Sequence, residues 1–82
     1  MRHVLSFNTP DALGIGEWQH QVMELDTEGR IQLWYLQPGR PNWELGHGKA
    51  IPEGKTAEGA AAIMRLYLQN EISQDEYDAL LP

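Results

Sequence analysis

An 82-residue chain with 41% hydrophobic residues and a formal net charge of −6 has room for a single domain over residues 1–82 with one small core. It contains no cysteine, which excludes disulfide scaffolds, thiolate zinc sites and cysteine nucleophiles and fits a reducing cytoplasm. The acidic balance repels phosphate backbones, so direct nucleic-acid binding is not expected; no apolar run is long enough for a signal peptide or a membrane span.

His3, Leu5 and Phe7 alternate with Val4 and Ser6, which predicts a first strand. Thr9-Pro10 opens a short helical turn: Thr9 can cap, Pro10 suits the first helical position and Gly14 can end it. Glu17–Leu25 reads as a second strand, with Trp18, His20 and Val22 on one face and Gln19, Gln21 and Met23 on the other. Asp26-Thr27-Glu28-Gly29 signals a hairpin, because Gly29 can take the left-handed conformation that a turn with a bulge requires. Arg30–Gln37 is the third strand, with Ile31, Leu33 and Tyr35 facing one way and Gln32, Trp34 and Leu36 the other. It is apolar on both faces toward its end, which predicts a central place in the sheet. Pro38-Gly39 turns the chain and Pro41-Asn42 lengthens the loop. Trp43–Leu45 is a short fourth strand; Gly46, Gly48, Pro52 and Gly54 make the next stretch irregular, with Lys49–Ile51 pairing only briefly. Residues 1–51 are thus mainly strands and turns.

The chain is organised around its longest apolar run, Thr56–Leu68, in a helix expected over Thr56–Asn70. Ala60, Ile63, Met64, Tyr67 and Leu68 form a wide stripe, and Glu58, Ala62, Arg65 and Gln69 point outward. Thr56 is the N-cap and Glu58 complements the first turn. Ser73-Gln74-Asp75-Glu76 is a capping box, Ile72 and Tyr77 form its hydrophobic staple, and Tyr77, Leu80 and Leu81 make one apolar face. Residues 56–81 therefore hold two helices. The fold class is α+β: a three- or four-stranded antiparallel sheet packed on one long helix, with a short C-terminal helix.

No chemical constellation converges. In GHGKAIPEGKT, Gly48 and Gly54 are separated by five residues before Lys55-Thr56, one more than a phosphate-binding loop allows; Pro52 removes a donor and Glu53 adds a repelling charge. His3, His20 and His47 lie on separate elements without metal-ligand spacing, although His20 and Glu24 share a strand face. No serine sits in a nucleophile setting. No catalytic residue, metal site or cofactor is therefore expected, and the chain reads as no enzyme. The aromatics are more informative. Trp34 and Tyr35 face opposite ways, so a sheet with helices on one side shows an aromatic patch on the other, unless one tryptophan fills the core and the rest pack under the Pro10–Gly14 turn. The partner-binding candidates are Asp26, Glu28 and Trp34, then Glu71, Asp75 and Asp78.

The segment LQNEISQDEYDALL resembles the helical hairpin of short C-terminal SHOCT-type domains, with Ile72, Ser73, Glu76 and Tyr77 in the matching places and Asn70 where a glycine is usual. That resemblance implies an interaction role. The whole chain resembles the small acidic proteins of phages and mobile elements, anti-CRISPR inhibitors among them. The shared organisation is a tryptophan-bearing hairpin, Gly48-Lys49-Ala50, and Thr56, Glu58 and Ala60 opening an alanine-rich helix. It implies a non-enzymatic inhibitor in the host cytoplasm that occupies a basic or nucleic-acid-binding surface of a bacterial protein complex. The alternative is a structural or adaptor module that forms a homodimer through the helix and the C-terminal hairpin.

Overall fold

A computed structural model describes residues 1–26 and 29–82. Strands β1 (Arg2–Pro10), β2 (Glu17–Leu25), β3 (Arg30–Leu36) and β4 (Glu44–Ala50) form one antiparallel sheet in sequential order, followed by helices α1 (Ala57–Leu68) and α2 (Gln74–Leu80). Short connections make each strand pair with its successor, so β2 and β3 are central, as the two-faced apolar pattern of β3 requires. The backbone spans 39 × 27 × 15 Å, a thickness that fits two layers. The class is the expected α+β, but α1 is a 12-residue helix rather than a long one.

The core lies between one sheet face and the helices. Val22 stands opposite Leu33 in register, and both are buried with Ile31 beneath Ala57, Ala60, Ala61 and Met64 of α1. Three alanines let the helix approach closely, and Met64 fills the remaining gap. The buried stripe is rotated from the expected one: Ala57 and Ala61 join it, Ile63, Tyr67 and Leu68 flank it half-buried, and Ala62 and Arg65 are half-buried rather than outward.

Two irregularities in the sheet were invisible to simple alternation. Between His3 and Leu5 the register with β2 shifts, because Val4 is an extra residue opposite Val22. Val4 and Leu5 both pack on the core, and His3 pairs instead with Ser6, 2.6 Å from its hydroxyl. The second shift lies between Gln32 and Trp34, opposite β4. There β4 continues as a strand through Gly46 and Gly48, with one extra residue bulged inside the stretch that was expected to be irregular. The glycines are what allow it. A Cβ on Gly46 would stand 3.1 Å from the Leu33 side chain and 3.2 Å from its carbonyl oxygen.

The Thr9-Pro10 helical turn does not form. Both residues extend β1, paired with Trp18 and Glu17, and an edge strand tolerates a proline that donates no hydrogen bond. Asp11 organises the turn instead. Its N–H donates to the Gly16 carbonyl at 2.9 Å, and its carboxylate accepts from the Leu13 N–H at 2.8 Å.

Local signals at the helices hold. The Thr56 hydroxyl accepts from the Gly59 N–H at 3.0 Å, and the Ser73 hydroxyl accepts from the Glu76 N–H at 3.1 Å. The Glu76 carboxylate returns to the Ser73 hydroxyl, at 3.4 Å, rather than to its backbone. Helix α1 ends in paired reverse bonds, Asn70 N–H to Tyr67 carbonyl at 3.0 Å and Glu71 N–H to Leu66 carbonyl at 2.8 Å. They force Asn70 to φ 59°. Asn70→Gly is therefore expected to raise stability by about 0.5 kcal/mol and Asn70→Val to lower it by about 1–2 kcal/mol, read from urea midpoints. Beyond the cap, Tyr77 and Leu81 are buried, but Leu80 is 40% exposed and leaves the expected apolar face.

Candidate functional site

Strand alternation builds the site. With Ile31, Leu33 and Tyr35 turned toward the helices, Trp34 and Leu36 project from the other side of the sheet, which carries no helix. Register brings Gln21 and Leu45 to either side of Trp34, Gln19 beside Leu36 and Gln32 beside Met23. The centre of this face is thus an indole among aliphatic and amide groups with no formal charge. A solvated sheet face is ordinarily polar. Gln32 is fixed by donating to the Gly46 carbonyl at 2.7 Å, while Trp34 is half-buried and Leu45 is 59% exposed. None of the three tryptophans is buried in the core. The aromatic patch expected on the helix-free side is centred on Trp34, and Trp18 packs on the helix side near the β1–β2 turn.

The predicted contact residues fall into two groups. Asp26 lies at the β2–β3 hairpin, 2.6 Å from the Met1 amino group, and Glu28 beside it lies outside the described residues. Trp34 occupies the open face. Glu71, Asp75 and Asp78 belong to the helical layer on the other side of the sheet, all exposed, with Asp78 at 3.9 Å from Lys49. The acidic hairpin and the acidic C-terminal segment are therefore not one patch.

Of the histidines, His20 and His47 line one cavity beside Trp18, and His3 is not among its lining residues. His20 is buried and stacked on Phe7, ring centroids 4.7 Å apart, and its Nδ1 has no hydrogen-bond partner. Glu24, its suggested companion, is held by Arg2 at 2.7 Å, and Arg2 also reaches Glu58. Among the described residues no group of three or more histidine, aspartate or glutamate side chains is placed to hold a metal ion. Gly48 sits inside β4 opposite Gln32, where a Cβ would meet the glutamine Oε1 at 2.9 Å, so this glycine serves strand packing.

A polar cluster ties β4 to α2. His47 Nε2 lies 2.9 Å from the Tyr77 hydroxyl, and Lys49 donates to the Leu81 carbonyl at 2.9 Å while standing 4.9 Å above the Tyr77 ring. Burial, then the charges of Tyr67 and Asp78, push the Tyr77 hydroxyl up to about 12. Desolvation holds both His20 and His47 below the usual histidine range, and the Lys49 ammonium adds to the effect on His47. Each depressed histidine contributes stability above about pH 6.5 that is lost as pH falls through its folded-state value. Tyr77 contributes stability below about pH 10 that is lost as pH rises toward 12. The melting temperature is thus expected to fall on both sides of a neutral plateau. His20→Leu should shallow the acid arm and Tyr77→Phe the alkaline arm.

Sequence reasoning missed the cavity beside Trp18. It has a volume of about 460 Å³ and lies on the helix side of the sheet, where α1 ends at Leu68 and leaves Trp18 and Tyr35 half-buried over the buried His20 and Leu33. The one available signal was Leu13 and Ile15 in a turn, where polar residues are the rule.

Among the described residues no helix is long and apolar enough to cross a membrane. No curated protein matches the chain, and no solved structure does. The family described as the Mycobacterium phage L5 gene 74 protein matches residues 5–82. This match carries the phage part of the resemblance in organisation and nothing of anti-CRISPR action or of a SHOCT-type domain. With a match that runs from within β1 to the last residue, the chain belongs to the phage L5 gene 74 protein family.

Proposed function

We propose that the chain is a non-enzymatic protein-binding protein of a phage. In this reading it is a small acidic inhibitor, anti-CRISPR-like in its mode of action, that occupies a basic or nucleic-acid-binding surface of a bacterial protein complex in the host cytoplasm. The observation that carries the reading is the helix-free sheet face, with an uncharged centre at Trp34 and Leu45. A protein interface has this anatomy: aromatic and aliphatic anchors at the centre, charge toward the rim. Asp26 lies in the turn after β2, at one end of the sheet, and the net charge of −6 steers the chain toward a basic partner. The stacking of His20 on Phe7 and the bonding of Glu24 to Arg2 support the non-enzymatic reading.

The test is a charge-reversal map on the partner recovered from host lysate. Asp26→Lys is expected to slow association, and to do so more strongly at low salt. Asp75→Lys and Asp78→Lys, in the opposite layer, are expected to have the smaller effect. The reverse ranking would move the binding surface to the helices, and no change from any of them would remove the electrostatic part of the reading.

A further inference from the structure

Strand polarity gathers the β1–β2 turn and the β3–β4 loop at one end of the sheet. That end carries the strongly exposed apolar side chains Leu13, at 84%, and Ile15, at 70%, with the less exposed Trp43 across from them. Beside the turn opens the 460 Å³ cavity, walled by Thr9, Trp18, His20, Leu33, Tyr35 and Leu68. Knob and cavity are held by one residue. The Asp11 carboxylate accepts from the Leu13 N–H at 2.8 Å, which shapes the turn, and from the Trp18 indole N–H at 2.9 Å, which fixes the cavity wall. Those bonds hold its pKa below the usual carboxylate range. Both surfaces are therefore preformed, and little ordering is needed to use them.

The turn does not fill the cavity of its own chain, because Leu13 and Ile15 remain exposed. An apolar projection beside an apolar recess on one molecule is the layout that a two-fold pair satisfies, each copy giving its projection to the other's recess. Charge at this end is mixed, with Asp11, Glu17 and Glu44 acidic and Arg40 basic. A chain of net charge −6 repels its own copy over most of its surface. Here the turn Ala12–Gly16 has no charge, and Arg40 of the β3–β4 loop makes no ion pair among the described residues. Glu17 and Glu44, at the start of β2 and of β4, lie at this same end and offer Arg40 a counter-charge across a pair.

We propose that the occupant of the cavity is a second copy of this chain, which inserts Leu13 and Ile15 over Trp18 and Tyr35, with Arg40 facing the acidic residues of the other copy. This dimer uses neither the helices nor the Trp34 face. It presents two Trp34 faces at once, so it goes beyond single-partner binding and stands independently of it.

Sedimentation velocity from micromolar to millimolar concentration tests the proposal. The wild type is expected to dimerise, and Leu13→Glu combined with Ile15→Glu to weaken the dimer by about a hundredfold with an unchanged melting temperature, since both side chains are exposed in the protomer. The chain has no cysteine, so Leu13→Cys protein mixed with Thr9→Cys protein should form a disulfide-linked heterodimer under mild oxidation. A wild type that stays monomeric at millimolar concentration overturns the proposal. So does a dimer that survives the double substitution, which would place self-association elsewhere, or a mixture that gives no heterodimer.

Discussion

Leu81→Ala is expected to destabilise the fold by about 2–4 kcal/mol, and Leu80→Ala by no more than about 0.5 kcal/mol. The two residues are adjacent and chemically identical, and the difference comes from geometry. Leu81 is fully buried beside Met64 and Tyr77, whereas Leu80 is 40% exposed. Leu81 is also held at both backbone groups: its N–H donates to the Tyr77 carbonyl at 2.8 Å, and its carbonyl accepts from Lys49 at 2.9 Å. Surrounding atoms therefore cannot collapse freely into the space that the alanine leaves, and the cavity term stays large. Domains of this size have only about 5–15 kcal/mol of stability, so the loss is a sizeable fraction of the whole. Urea unfolding separates the cases: the midpoint should fall sharply for Leu81→Ala, with an unchanged slope. Equal midpoints for the two variants would show that α2 does not dock as described.

The central strands were legible because β2 and β3 alternate cleanly. Trp18, His20 and Val22 share the helix side, and Trp34 and Leu36 the open side, as period two dictates. The helix starts were legible because Thr56 and Ser73 satisfy free N–H groups by local bonds that need no tertiary partner. What failed was set by neighbours across the sheet. Gly46 and Gly48 look like loop residues until Leu33 and Gln32 are seen crowding them. Val4 breaks the alternation of β1 only because Val22 faces two residues. Asp11 outcompeted Thr9 for the turn because its carboxylate has two acceptor oxygens, one for Leu13 and one for Trp18. Of the candidate site, the orientation of Trp34 was readable from alternation, but the separation of Asp26 from Asp75 and Asp78 was not. Charge spacing along a chain says nothing of which layer each residue joins.

Trp34→Ala is expected to weaken the partner complex by about thirtyfold or more, equivalent to about 2 kcal/mol, with a cost to folding of about 1 kcal/mol. The indole is half-buried between Gln21 and Leu45 and contributes nothing to the core between sheet and helices, so folding loses only side contacts. At an interface the same ring would lose its remaining contact with water, and a large apolar group gains most where that last exposure is removed. Because the face has no formal charge at its centre, the lost affinity should appear as faster dissociation and should vary little with salt. Asp26→Lys should do the opposite, slowing association in a salt-dependent way. The two variants therefore carry distinct kinetic signatures. If Trp34→Ala leaves the dissociation rate within about twofold while the protein stays folded, the anchor lies elsewhere and the open sheet face is not the binding surface.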